Sequence, residues 1–179
     1  GVPVVFYGDS PKGKAVIRNC CRECGAALTM PDFAMITSEY MGSVDECQRL
    51  SYKTWKNLSL GLPGVYQQKN AALVLEVTEV LRSLGMNLPE NAVREGLATV
   101  RWQARLETVQ KNPLLLLDGS HNPQGMQATV ESLKRYFPDR KLQFVFGAMA
   151  DKELDVMIEL FLPLEKKIVV TAPSMPRAM

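Results

Sequence analysis

Histidine is almost absent from this 179-residue sequence: there is one, His121. Strong charge of either sign is missing too. Lys and Arg number 21 against 19 Asp and Glu, a formal net charge of +2. The basic residues are scattered, which excludes the massed positive footprint of a nucleic-acid binder. No apolar run approaches the ~20 residues that a membrane-spanning helix needs. No signal peptide opens the chain, so the cytoplasm is the expected compartment. Cysteine is scarce, with four residues, of which Cys20, Cys21 and Cys24 are clustered. A zinc site would want a second ligand pair, and only Cys47 and the distant His121 are available. The remainder is ordinary: 46% hydrophobic and 22% charged residues describe a globular protein, long enough for one domain or two small ones.

The most informative stretch runs from Leu114 to Pro123, Leu-Leu-Leu-Leu-Asp-Gly-Ser-His-Asn-Pro. Four apolar residues bounded by a turn read as a strand buried on both faces. Asp118, Gly119 and His121 then occupy a loop, and Asn122-Pro123 opens a helix, since Asn is a favoured N-cap and Pro suits the first helical position. This puts a carboxylate and an imidazole at the carboxyl end of a strand, beside a helix N-terminus. Ligands and phosphates bind at such places in open α/β sheets. An ordinary strand–helix connection with a well-capped helix accounts for the same residues.

The organisation along the chain is α/β. A short strand at 2–7 is followed by a helix from Ser10-Pro11 to Gly25, capped at both ends, with Val16, Ile17, Cys20, Cys21 and Cys24 on its apolar side. The thiols are therefore expected to be buried in a reducing compartment. Alternation over 43–54 and 57–62 predicts antiparallel strands. A helix follows Gln67 with Ala71, Leu73, Val74, Val77, Val80, Leu81 and Leu84 as its stripe and ends at Gly85. Pro89 begins another, with Ala92, Val93 and Leu97 inward. A domain boundary is placed near residue 100, where periodicity fades. Beyond it, strands at 114–117, 142–146 and 167–171 alternate with helices at 122–137 and 151–164, the pattern of a parallel, doubly wound sheet. Three such strands make a thin sheet.

Gly8-Asp9-Ser10-Pro11-Lys12-Gly13-Lys14-Ala15 fits the G-x-x-x-x-G-K pattern of a phosphate-binding loop and follows a strand. Ala15, however, stands where a Ser or Thr hydroxyl would bind Mg²⁺. Ser10-Pro11 also starts a helix early, removing the open loop of amides that would cradle phosphate.

Asp-Gly-Ser-His-Asn-Pro at 118–123 resembles the D-G-A-H-N-P signature of folylpolyglutamate and dihydrofolate synthases, members of the Mur ligase superfamily. The likeness extends in both directions. Trp102-Gln103-Ala104-Arg105-Leu106-Glu107 is similar to W-P-G-R-L-E, with Gln103 for the proline and Ala104 for the glycine, so a less sharp hinge is expected. Residues 62–72 resemble G-x-H-Q-x-x-N-A-A with Tyr66 in the histidine's place. Phe146-Gly147-Ala148-Met149-Ala150-Asp151-Lys152-Glu153 is similar to F-G-x-x-x-D-K-D, and Pro176-Arg177-Ala178 to P-R-A. These motifs keep the family's order and spacing over nearly the whole sequence.

The resemblance implies an ATP-dependent ligase that adds L-glutamate to folates through an acyl phosphate. Residues 1–100 would be the C-terminal part of the central ATP-binding domain of P-loop type. Residues 101–179 would be a truncated Rossmann-like ligase domain, both incomplete. It implies that Arg105 reaches the ATP phosphates across the domain interface, as suits a permanently charged fork. Asp118 would accept ribose hydroxyls, or merely form a turn before Gly119. Asn70 and Gln67 would lie near the adenine end, with helix capping as the plain alternative. His121 would lie close to the nucleotide, or cap or pack. Lys152 would face the place where acyl phosphate and amine meet, or be a solvated first-turn residue; His121 and Lys152 are the catalytic candidates. ATP and Mg²⁺ are the expected cofactors, with the metal ligands outside this chain. Folate, L-glutamate and ATP are the expected partners, with no nucleic acid or membrane, in a monomeric full-length enzyme. The 179 residues alone are expected to be inactive. A Mur-type ligase of cell-wall synthesis and a non-catalytic nucleotide-binding fragment are the alternatives.

Overall fold

The computed structural model describes residues 1–8, 10–39, 42–149 and 152–172. Asp9, Asp151 and the Pro176-Arg177-Ala178 motif lie outside the described residues. The chain divides into two compact units. Unit 1 comprises Gly1–Met41, Cys47–Leu62 and Gln67–Arg101, and unit 2 comprises Gly42–Glu46, Pro63–Tyr66 and Trp102–Met179.

Unit 1 opens with β1 (Val4–Val5), α1 (Pro11–Glu23) and β2 (Leu28–Thr29), the two strands pairing in parallel. Ser10 caps α1, its Oγ accepting from the Gly13 N–H at 3.3 Å, and Pro11 occupies the first turn. The helix therefore begins where an open phosphate loop would have to be. Gly25, at φ +61°, ends it, and the Ala26 N–H closes on the Cys21 carbonyl at 2.8 Å. The buried stripe is narrow: Cys21 is buried and Ile17 half-buried, whereas Cys20, Cys24 and Val16 are exposed. This corrects the expectation of buried thiols. Residues 17 and 21 share one helical line, and Cys20 and Cys24 lie a full residue step around from it.

The rest of unit 1 is a three-stranded antiparallel meander, β3 (Ile36–Glu39), β4 (Gln48–Tyr52) and β5 (Trp55–Leu60), with α2 (Gln67–Ser83) and α3 (Glu90–Thr99). Leu50, Tyr52, Leu58 and Leu60 alternate inward to meet Ala71, Ala72 and Leu75 of α2 and Leu97 of α3. The stripe of α2 is thus rotated from the expected one. Leu75, Glu76 and Thr78 are buried, while Val74 and Val77 are exposed, and Ala92 of α3 is exposed too. Glu76 explains the rotation. Its carboxylate accepts from the Tyr52 hydroxyl at 2.5 Å and pairs with the Lys53 ammonium. A partnered charge can be buried where a lone one cannot. The Glu76 hydrogen bond, opposed by burial, raises the Lys53 ammonium above its ordinary value, and burial first, then Glu76, pushes the Tyr52 phenol up.

Unit 2 contains β6 (Glu107–Lys111), β7 (Leu114–Leu117), α4 (Pro123–Tyr136), β8 (Leu142–Phe146), α5 (Leu154–Phe161) and β9 (Glu165–Val170). β8 and β9 pair in parallel around α5. β7 instead pairs antiparallel with β6, a strand without apolar alternation of its own. The expected three-strand parallel ladder is thus a parallel pair and an antiparallel pair among the described residues. Nor is β7 buried on both faces: Leu116 packs on the core, while Leu114, Leu115 and Leu117 are exposed. The core lies between α4 and α5 and under β8, where Phe161 stacks on Phe144 at 4.7 Å beside Met126, Val130 and Met157. Val44 joins it from the short stretch at 42–46. The adjacent Asp45 carboxyl is held below its ordinary value by hydrogen bonds from Thr108 and Lys111, the former the larger effect.

Candidate functional site: the loops at Ala104–Leu106 and Asp118–Asn122

In unit 2 the segment after β7 and the segment before β6 are stitched together by Asp118. Its Oδ2 accepts from the Leu106 N–H at 3.0 Å. Its Oδ1 accepts from the Ser120 N–H at 3.0 Å and from the Thr129 hydroxyl at 2.9 Å. The Ser120 and Thr129 hydroxyls lie 2.8 Å apart, and the Gly119 N–H donates to the Ala104 carbonyl at 2.8 Å. The turn-forming role of Asp118 is thus present, but as one contact of three. Thr129 was not singled out from the sequence. Its signal is helical period: Asn122, Met126 and Thr129 step along one side of α4.

The same stitching shapes the Arg105 turn. Ala104 and Leu106 both take left-handed backbone, φ +53° and +49°. The Ala104 N–H donates to Glu107 Oε2 at 2.8 Å. The chain therefore turns through left-handed backbone here with alanine standing where the resembling pattern has glycine. Side-chain and backbone acceptors around the turn offset the steric cost of the conformation. A Cβ on Gly119 would lie 3.3 Å from the Ala104 carbonyl oxygen and 3.4 Å from Arg105 Nη1, so the glycine allows this close approach. The half-buried Arg105 guanidinium makes only a long 3.5 Å bond to the Ala104 carbonyl and pairs with no carboxylate among the described residues.

His121 is exposed, with Nδ1 3.0 Å from the Gly119 carbonyl oxygen. A carbonyl oxygen only accepts, so Nδ1 is the donor in this contact. Asn122 caps α4, its Oδ1 accepting from the Gly125 N–H at 2.7 Å, as the Asn-Pro pair predicts. Lys152 is half-buried just before α5, its backbone N–H donating to the Met149 carbonyl at 3.1 Å.

Gln67 and Asn70 sit in unit 1, in the first turn of α2, joined by an Asn70 Nδ2 to Gln67 Oε1 bond of 2.8 Å. Gln67 is buried and Asn70 exposed. Both line a cavity of about 390 Å³ whose other walls are mostly apolar, among them Leu60, Val74, Leu88, Val93 and Leu97. Among the described residues, no group of three or more His, Cys, Asp or Glu is arranged to hold a metal ion, and no helix is long and apolar enough to cross a membrane.

Residues 104–179 match the family model described as Mur ligase, glutamate ligase domain. The dihydrofolate synthase/folylpolyglutamate synthase of Bacillus subtilis is 29% identical to this chain over 184 aligned residues, covering 99% of the chain and 42% of the relative. A Mycobacterium tuberculosis enzyme of the same name is 33% identical over 127 residues, 70% of the chain and 26% of the relative. A Mycobacterium tuberculosis folylpolyglutamate synthase complexed with ADP superposes with a TM-score of 0.85 at 28% identity, covering 99% of the chain and 40% of that structure. A folylpolyglutamate synthase complex with AMPPCP and folate gives 0.84 at 25% identity. The chain thus spans less than half the length of these relatives.

Proposed function

We propose that the protein is a cytoplasmic, ATP-dependent ligase that joins L-glutamate to a folate, a reading supported by the match of residues 104–179 to the Mur ligase, glutamate ligase domain and by the similarity of the chain to folylpolyglutamate and dihydrofolate synthases. The observation that carries the reading is Arg105. A half-buried guanidinium without a carboxylate partner among the described residues, held on a turn that Asp118 and Glu107 tie down, is suited to a polyphosphate.

In this reading ATP drives conversion of the substrate carboxylate to an acyl phosphate, which the glutamate amine then attacks with loss of phosphate. Arg105 binds phosphate oxygens and Asp118 both fixes the turn and accepts a ribose hydroxyl. Four lone-pair sites on its two oxygens leave room for one acceptance beyond the three it makes. His121, exposed in the same loop, offers its second ring nitrogen for a hydrogen bond near the nucleotide. Lys152 adds positive charge on the same unit, where electrostatic stabilisation of a developing phosphate helps most. Gln67 and Asn70 line a cavity whose apolar walls and amide edge suit a purine base. Mg²⁺ is assigned no residue, since the described residues offer no cluster for it.

The test is ATP-dependent incorporation of labelled glutamate into a reduced folate by the full-length protein. Turnover that Arg105→Ala lowers supports the reading. A match of 32% identity over 100 residues to a UDP-N-acetylmuramoyl-L-alanyl-D-glutamate--2,6-diaminopimelate ligase of Caldanaerobacter subterraneus names the competing outcome. Transfer of an amino acid to a nucleotide-sugar peptide, with none to folate, would establish that one instead.

A further inference from the structure

The cysteine cluster takes no part in this reading, and its geometry is distinctive. The Cys24 N–H donates to the Cys20 carbonyl at 3.0 Å, so helical register holds from one residue to the other. Side chains at i and i+4 then share a face, their Cβ atoms about 5–6 Å apart. Both thiols are exposed, while Cys21 between them is buried. Just beyond, Gly25 turns the chain at φ +61°, and a Cβ there would meet nothing within 4 Å. Two accessible thiols therefore stand one turn apart beside open space.

We propose that Cys20 and Cys24 form a two-thiol clamp for soft, low-coordinate acceptors, the chemistry represented by monosubstituted trivalent arsenicals. A direct disulfide wants Cβ atoms about 3.5–4.5 Å apart, closer than an intact helix holds them. A bridging atom with two bonds to sulfur adds the missing reach. A tetrahedral metal is a poor fit, because it needs more ligands and no cluster of three or more His, Cys, Asp or Glu is arranged for one among the described residues. An acceptor satisfied by two thiolates needs nothing more. With an arsine oxide the step is a condensation without redox change. Two As–S bonds form, the As=O bond breaks, and the oxygen leaves as water carrying both thiol protons.

The probe is phenylarsine oxide, followed by an excess of a monothiol such as glutathione and intact-mass measurement of the protein. Single-thiol adducts exchange away, whereas the chelated one is kept. The expected result is one phenylarsenic unit retained per clamp and released by a dithiol. Cys20→Ser and Cys24→Ser should each abolish retention, and both positions are exposed, so the fold tolerates the change. Cys21→Ala and Cys47→Ser should leave it intact. Loss of the adduct to monothiol in the unsubstituted protein, or its retention in the Cys20→Ser/Cys24→Ser double variant, would overturn the proposal.

Discussion

Replacing Asp118 by asparagine preserves the shape of the side chain but takes away one of its two acceptor atoms. In the native loop, Oδ1 serves the Ser120 N–H and the Thr129 hydroxyl, and Oδ2 serves the Leu106 N–H. The better orientation of the amide keeps its oxygen toward Ser120 and Thr129. Its NH₂ then faces the Leu106 N–H, donor against donor, at the position where Leu106 already holds φ +49°. Loss of a hydrogen bond to a charged group costs about 1.5–3 kcal/mol. For a domain of ~60–100 residues each kcal/mol is worth roughly 4–8 °C in Tm. Urea unfolding followed by far-UV circular dichroism, with the parent protein in parallel, reads the loss as a lower midpoint at unchanged slope. Thr129→Val removes a different donor from the same carboxylate. Its effect and that of Asp118→Asn should sum to more than the double variant shows, because the two share one network. A midpoint for Asp118→Asn equal to the parent's would refute the stitching role.

Four further outcomes follow from the same structure. Arg105→Ala should leave the unfolding midpoint nearly unchanged while raising the ATP Michaelis constant or lowering turnover by one to two decades, from a contact of about 1.5–3 kcal/mol; steady-state kinetics check both. Ala104→Val should lower stability by about 1–3 kcal/mol, since a β-branched residue fits left-handed backbone poorly, and Ala104→Gly should not. Above about pH 10 the stability of unit 1 should fall. Lys53 and Tyr52 both have raised folded-state values, so the folded form holds protons that the unfolded form releases, and their contribution is complete below the unfolded values; Glu76→Gln should flatten that alkaline slope in a denaturation series. Metal analysis of protein purified without chelator should find no stoichiometric zinc, and zinc lost on substituting Cys20 and Cys24 would contradict that.

Much of the candidate site was legible because its signals are local. Asn122-Pro123 starts α4, and Ser10-Pro11 starts α1 with Gly25 as its stop, because capping depends on residues within one turn. The α–β–α–β run after α4 follows from apolar periodicity in the same way. The order and spacing of the motifs around Arg105, Asp118 and Asn70 carried the family. β6 was missed because Glu-Thr-Val-Gln-Lys has no clear alternation. It becomes a strand by pairing with β7 across the Asn112-Pro113 turn.

Local sequence is enough to set where helices begin and end, which loop carries the acid and the imidazole, and that Ser10-Pro11 starts a helix inside the Gly8–Ala15 pattern. Tertiary structure alone decided which side of each element is buried and which distant groups meet. The Tyr52 hydroxyl and Lys53 ammonium allow Glu76 to turn inward and so rotate α2 away from its apolar stripe. The Leu106 N–H and Thr129 hydroxyl reach Asp118 from twelve and eleven residues away. Cys20 and Cys24 face outward because only the line through Ile17 and Cys21 is covered. Burial and hydrogen bonding depend on the partner's position in space, and no local pattern encodes that position.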